Sequence, residues 1–159
     1  MHFYLCPECG NVYDEDFLNI KDRFEGGYCP IASCCGHVFE IDEDMIEPIT
    51  NLNQKGYITA YCCTGHLYDD SLGAYIKFKH SICTPKTVPK DWYVDAEDCT
   101  CIRAEIKGNT FDQRRECIFR NMTNLIEWSR ELPEYEPLDP ANEEQIKEIS
   151  DTLYSCVHC

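Results

Sequence analysis

The chain has 159 residues, the size of one ordinary domain or of a small module joined to a larger one. Twenty-nine acidic against fourteen basic residues leave a net charge of −15. That surplus speaks against a surface that grips nucleic-acid phosphates and against anionic membranes. No stretch approaches the roughly 20 apolar residues that span a bilayer, and Met1-His2-Phe3-Tyr4-Leu5-Cys6 lacks the pattern of an export signal. The expectation is a cytoplasmic protein that touches neither membrane nor nucleic acid directly. Thirteen cysteines, an odd number, then point to metal ligation, because cytoplasmic thiols stay reduced.

In chain order, Phe3-Tyr4-Leu5 is a short strand running into Cys6-Pro7-Glu8-Cys9-Gly10. A second turn, Cys29-Pro30-Ile31-Ala32-Ser33-Cys34-Cys35-Gly36, leads to the strand Val38 to Ile41. Asp42-Glu43-Asp44 opens a helix in which Met45, Ile49 and Leu52 share a face, Pro48 confines the start and Gly56 caps the end. Ile58, Ala60 and Cys62 alternate with Thr59, Tyr61 and Cys63 in a strand period that sends Cys62 to the core. Ala74, Ile76 and Phe78 mark a second strand; Ile102, Ala104 and Ile106 mark a third.

Thr110 and Gln113 form a capping box for a helix carrying Ile118, Met122, Leu125 and Leu132, which Pro133 stops. Asp139-Pro140 starts a last helix with Ile146, Ile149 and Leu153 on one face. Residues 131–151 hold eight acids and one lysine. The expected fold is α+β: an N-terminal zinc ribbon over residues 1–41, then residues 42–159 as a small mixed β-sheet with helices packed on one face and an acidic C-terminal helix.

Cys6-x2-Cys9, nineteen residues, then Cys29-x4-Cys34 is zinc-ribbon spacing, two Cys-Pro turns presenting four thiolates to one Zn2+. Cys34 and Cys35 compete for the fourth position, with Cys34 preferred and His37 a substitute for either. A second concentration, Cys62-Cys63-Thr64-Gly65-His66, pairs Cys63 with His66 as an activated thiol or as half of a second metal site. Asp69 or Asp70 would orient the imidazole, and Thr59 and Tyr61 would line the pocket. The bland alternative is a buried Cys63 and a loop-capping His66. Cys156-Val157-His158-Cys159 also has ligand spacing, with Cys62, Cys63, His66, Cys83, Cys99 and Cys101 as candidate partners; Cys99 and Cys101 would share a strand face.

Phe39-Glu40-Ile41-Asp42-Glu43, Leu52-Asn53-x-Lys55-Gly56-Tyr57-x-Thr59, Cys62-Cys63-Thr64-Gly65-His66 and Tyr75-Ile76-Lys77-Phe78 together resemble a group of small uncharacterised bacterial and phage zinc-ribbon proteins. The resemblance covers about residues 4–80 and implies no settled function. Leu52-Asn53, Thr59, Cys63, Thr64 and Gly65 are similar to a pattern of the tRNA wybutosine-synthesising methyltransferases of the third step, whose arginine is His66 here. The leading expectation is an acidic zinc-binding protein that acts through a protein partner, as an inhibitor occupying a basic nucleic-acid-binding surface. The alternative is an enzyme centred on Cys63 and His66, by thiol or second-metal chemistry or as a diverged RNA-modification scaffold.

Overall fold

The Cys-Pro turn at Cys6 folds β1 (Phe3–Leu5) back onto β2 (Val12–Asp14), with Tyr4 opposite Tyr13. The computed structural model describes residues 2–18, 27–68, 73–79 and 85–136. A four-residue helix, α1 (Glu15–Leu18), follows β2. β4 (His37–Ile41) joins the free side of β1, with Tyr4 opposite Glu40, and β3 (Gly27–Tyr28) pairs with β4. The sheet order is β2-β1-β4-β3.

A 3-10 turn (Glu43–Met45) leads into α2 (Ile46–Gln54), so the acids at 43 and 44 sit in the tight turn and Pro48 falls in the first turn of α2. Met45, Ile49 and Leu52 are fully buried. The second sheet has the order β5-β6-β8-β7, from β5 (Thr59–Cys63), β6 (Ala74–Phe78), β7 (Tyr93–Val94) and β8 (Cys101–Ala104). Its pairings are all antiparallel, which corrects the expected mixed sheet. Parallel neighbours need a crossover, usually helical. Here α2 precedes β5 and α3 (Phe111–Glu131) follows β8, so no described helix lies between the strands.

One register shift changes which residues of β5 face inward. Thr59 pairs with Phe78 and Tyr61 with Lys77, leaving Ala60 as an extra residue. Such a bulge breaks the two-residue alternation. Thr59 is therefore fully buried rather than beside Tyr61, Cys62 lies opposite Ile76, and Cys63 opposite Tyr75. Cys99 sits in the turn before β8, so only Cys101 is in the strand. Ile106 lies beyond the strand end at Ala104.

The main core joins Met45, Ile49 and Leu52 to Ile76, Phe78 and Ile102 of the sheet and to Met122 and Leu125 of α3. Leu5 and Ile41 of the first sheet enter the same core. A separate small cluster of Tyr4, Cys6, Cys29 and Val38 lies within the first sheet and its turns. α3 starts with the expected capping box: Thr110 Oγ1 accepts from Gln113 N at 3.3 Å, and Thr110 N donates to Gln113 Oε1.

The stretch Leu52 to Thr59 is a structural joint. Leu52 is buried. Gly56, at φ +90°, ends α2 in a Schellman motif, with Tyr57 N donating to Leu52 O and Gly56 N to Asn53 O. Lys55 Nζ donates to the carbonyls of Ser129, Arg130 and Leu132 at 2.9, 2.7 and 2.5 Å, so its charge sits at the negative end of α3. Replacing it with methionine keeps the stem but strands those carbonyls. Hydrogen bonds from a charged group are each worth about 1.5–3 kcal/mol and do not add fully, so Lys55→Met should cost about 3 kcal/mol in denaturant unfolding. A loss under about 1 kcal/mol would mean water serves the helix end equally well. The proposed last helix and the Cys156–Cys159 string lie outside the described residues, as do Asp69, Asp70 and Cys83.

Candidate metal centre and the neighbouring cleft

Both turns of the first sheet bring sulfur to one point. Cys6 N donates to Asn11 O and Gly10 N to Cys6 O, closing the first turn. Cys34 N donates to Ile31 O and Cys29 N to Gly36 O, closing the second. The ligand atoms of Cys6, Cys9, Cys29 and Cys34 all lie within 4.8 Å of one another, a cluster that can hold a metal ion. Cys6 Sγ is 3.7 Å from Cys34 Sγ, and Cys9 Sγ is 3.6 Å from Cys29 Sγ. Cys35 is exposed, and the His37 ring packs against Tyr28 with centroids 4.3 Å apart, so neither joins the cluster.

Backbone amides reach three of these sulfurs from two residues ahead: Glu8 to Cys6, Asn11 to Cys9 and Gly36 to Cys34. Asn11 Nδ2 adds a bond to Cys9 Sγ at 3.3 Å. The Tyr13 hydroxyl, 3.3 Å from Cys29 Sγ and 3.8 Å from Cys9 Sγ, contacts two of the four. Sequence reasoning missed Tyr13; its position opposite Tyr4 on β2 places it there. In the metal-free cluster burial pushes the Cys6 thiol up to about 12. Burial also opposes charge on Cys9, but the Asn11 amide and the neighbouring thiols bring it down to about 7. A metal ion replaces these shared protons.

Gly36 is there for space. A Cβ on it would stand 2.6 Å from Cys6 Sγ and 2.9 Å from Glu8 Cγ. Gly36→Ala must push a ligand sulfur aside. We expect metal binding roughly 10–100-fold weaker by chelator competition, the range for disturbing groups that orient ligands. An unchanged affinity would show that the second turn opens without strain.

Cys62 and Cys63 at the end of β5 line a cleft of about 450 Å³ with His2, Phe3, Glu40, Ile41, Asp42, Glu43, His66 and Tyr75. Cys63 Sγ lies 3.5 Å from His66 Nε2, and Gly65 N donates to the same sulfur at 3.3 Å. The carboxylate beside Cys63 is Asp42, whose Oδ2 accepts from Thr64 N at 2.8 Å and Thr64 Oγ1 at 2.9 Å. Asp42 and Cys63 are twenty-one positions apart, and only the packing of β4 beside the turn brings them together. Burial pushes the Cys63 thiol up, the Gly65 amide counters it, and Asp42 pushes it up again. Thr59 and Tyr61 do not line this cleft: the bulge buries Thr59, while Tyr61 stacks on Phe39 with centroids 5.0 Å apart.

No helix among the described residues is long and apolar enough to cross a membrane. No family model, curated protein or solved structure matches the chain.

Proposed function

We propose that the chain is a zinc-ribbon protein in which Zn2+ at Cys6, Cys9, Cys29 and Cys34 holds a platform for binding a basic protein surface. The observation that carries the metal reading is the sulfur geometry. Zn–S bonds of about 2.3 Å in a tetrahedron give S···S edges of about 3.8 Å, against 3.6 and 3.7 Å for the Cys9–Cys29 and Cys6–Cys34 pairs. Four thiolates close the site, as structural zinc sites are closed, and leave no position for a reacting water.

The partner reading follows from charge and exposed rings. A chain of net charge −15 associates fastest with a basic surface. Tyr28 is 73% and Tyr61 53% exposed beside the metal cluster, and aromatic side chains are enriched at protein interfaces. A nucleic-acid-binding protein supplies such a basic surface, and occupying it would inhibit that protein. Affinity capture at low salt, comparing wild type with the Tyr28→Ala, Tyr61→Ala double variant, tests this. The expected result is a basic protein held only by wild type, released by salt and unable to bind nucleic acid while held. Capture of nothing, or equal capture by both, would end the reading.

The enzyme reading has one observation in its favour, the 3.5 Å Cys63–His66 contact. A thiol nucleophile must be partly ionised near neutral pH, and burial and Asp42 act against that. With the four-cysteine cluster loaded and the sheet folded, Cys63 should therefore alkylate more slowly than an exposed cysteine such as Cys35, and accelerate as pH rises. Faster alkylation of Cys63 than of Cys35 at pH 7 would restore the thiol enzyme.

A further inference from the structure

We propose that the turn Cys63–His66 is a second metal centre, open rather than closed, with Cys63 Sγ and His66 Nε2 as ligands, Asp42 as the third donor and the last position facing the cleft. Three independent features support it. The first is distance. A zinc-sized ion held at about 2.3 Å from sulfur and 2.05 Å from nitrogen sets the two donors about 3.6 Å apart in a tetrahedron, and Cys63 Sγ and His66 Nε2 are 3.5 Å apart.

The second is the backbone. Cys63-x2-His66 repeats the two-residue spacing of Cys6-x2-Cys9. In the first site Cys6, Cys9 and Cys34 each receive an amide from the residue two ahead, and Cys63 receives Gly65 N in the same way. A hydrogen bond of this kind orients a sulfur and stabilises its thiolate.

The third is the surroundings. The cleft is lined by Glu40, Asp42 and Glu43 together with two imidazoles, and by no lysine or arginine. His2 and Glu40 are bonded to each other and are not counted as ligands. Asp42 is held by N and Oγ1 of Thr64, the residue next to Cys63, and its charge acts on the Cys63 thiol. Among the described residues only the four cysteines bring three donors within 4.8 Å of one another, so Asp42 must rotate towards His66 to complete the set.

Binding releases the Cys63 proton to solvent, and the ion's charge turns the Asp42–thiolate repulsion into shared attraction. Sulfur, nitrogen and carboxylate donors select a borderline-soft divalent ion of the zinc type over magnesium or calcium. With three protein donors, the fourth position takes water or a ligand from the cleft.

The test is the number of Zn2+ ions on the full chain by native mass spectrometry, with affinities from chelator competition. Wild type should hold two. Cys63→Ser and His66→Ala should each hold one, and His66 is exposed, so its loss does not threaten folding. Asp42→Asn should bind the second ion roughly 10–100-fold more weakly. One ion in all proteins, or two in both the Cys63 and His66 variants, overturns the proposal. Cys9→Ser separates the two sites: if it leaves the count unchanged while Cys63→Ser lowers it, the ribbon reading fails and this one stands.

Discussion

If the four-cysteine cluster of Cys6, Cys9, Cys29 and Cys34 holds the proposed ion, chelating it should unfold the first sheet while most of the second core stays intact. Among the described residues the small cluster there buries Tyr4, Cys6, Cys29 and Val38, and two of these four belong to the cysteine cluster. So little apolar surface cannot offset the entropy of ordering two turns and four short strands. Structural zinc in small domains contributes roughly 10–16 kcal/mol at neutral pH, and that binding energy is folding energy. Hydrogen exchange should show the β1–β4 amides losing protection in the chelated protein, while Ile76 and Ile102 keep theirs. Leu5 and Ile41 connect the two regions through the main core, so the second transition should also shift to lower denaturant. Equal protection of β1 and β4 with and without metal would show that packing alone holds the sheet.

Asn53→Ala is the single substitution expected to damage both regions at once. Its Nδ2 donates to Gly10 O at 2.8 Å, on the first cysteine turn. Its Oδ1 accepts from Thr59 N at 2.8 Å and Thr59 Oγ1 at 3.2 Å, at the bulge of β5. Thr59 is fully buried, so water does not replace the lost partner. Each buried group left without a partner costs about 1–3 kcal/mol, and three such groups give a loss of about 4 kcal/mol. Asn53→Asp separates the halves, because a carboxylate still accepts from Thr59 and no longer donates to Gly10. It should retain most of the β5 stability yet, on the proposed zinc reading, bind metal at the four cysteines more weakly. If Asn53→Ala unfolds at nearly the wild-type denaturant concentration, the joint is not held by this side chain.

These bonds also change how the stretch Leu52 to Thr59 reads. As a string it carries part of a family resemblance that implies no settled function. In the fold Leu52 and Tyr57 are core, Asn53 and Thr59 tie the cysteine turn to the bulge, Lys55 caps α3, and Gly56 ends α2. Each of these six positions has a structural duty. What remains for chemistry at this end of the sheet is the turn after β5.

The cysteine turns, the capping box at Thr110 and the alternation of β6 were legible in the sequence because each depends on residues within a few positions. A Cys-Pro turn, a Thr–Gln pair three apart and a two-residue period are local geometry, set by backbone sterics and short hydrogen bonds. The bulge at Ala60 was not legible. It arises where β5 must satisfy both the β6 register and the Asn53 side chain, and neither demand appears in the spacing of apolar residues. Nor was Asp42 legible as the carboxylate at Cys63, or Tyr13 as the hydroxyl on two sulfurs. Asp42 is far from Cys63 along the chain and Tyr13 is sixteen positions from Cys29, and only strand pairing and packing place them there. The antiparallel sheet was derivable from the same element order, since no helix was expected between the three strands and parallel neighbours need a crossover.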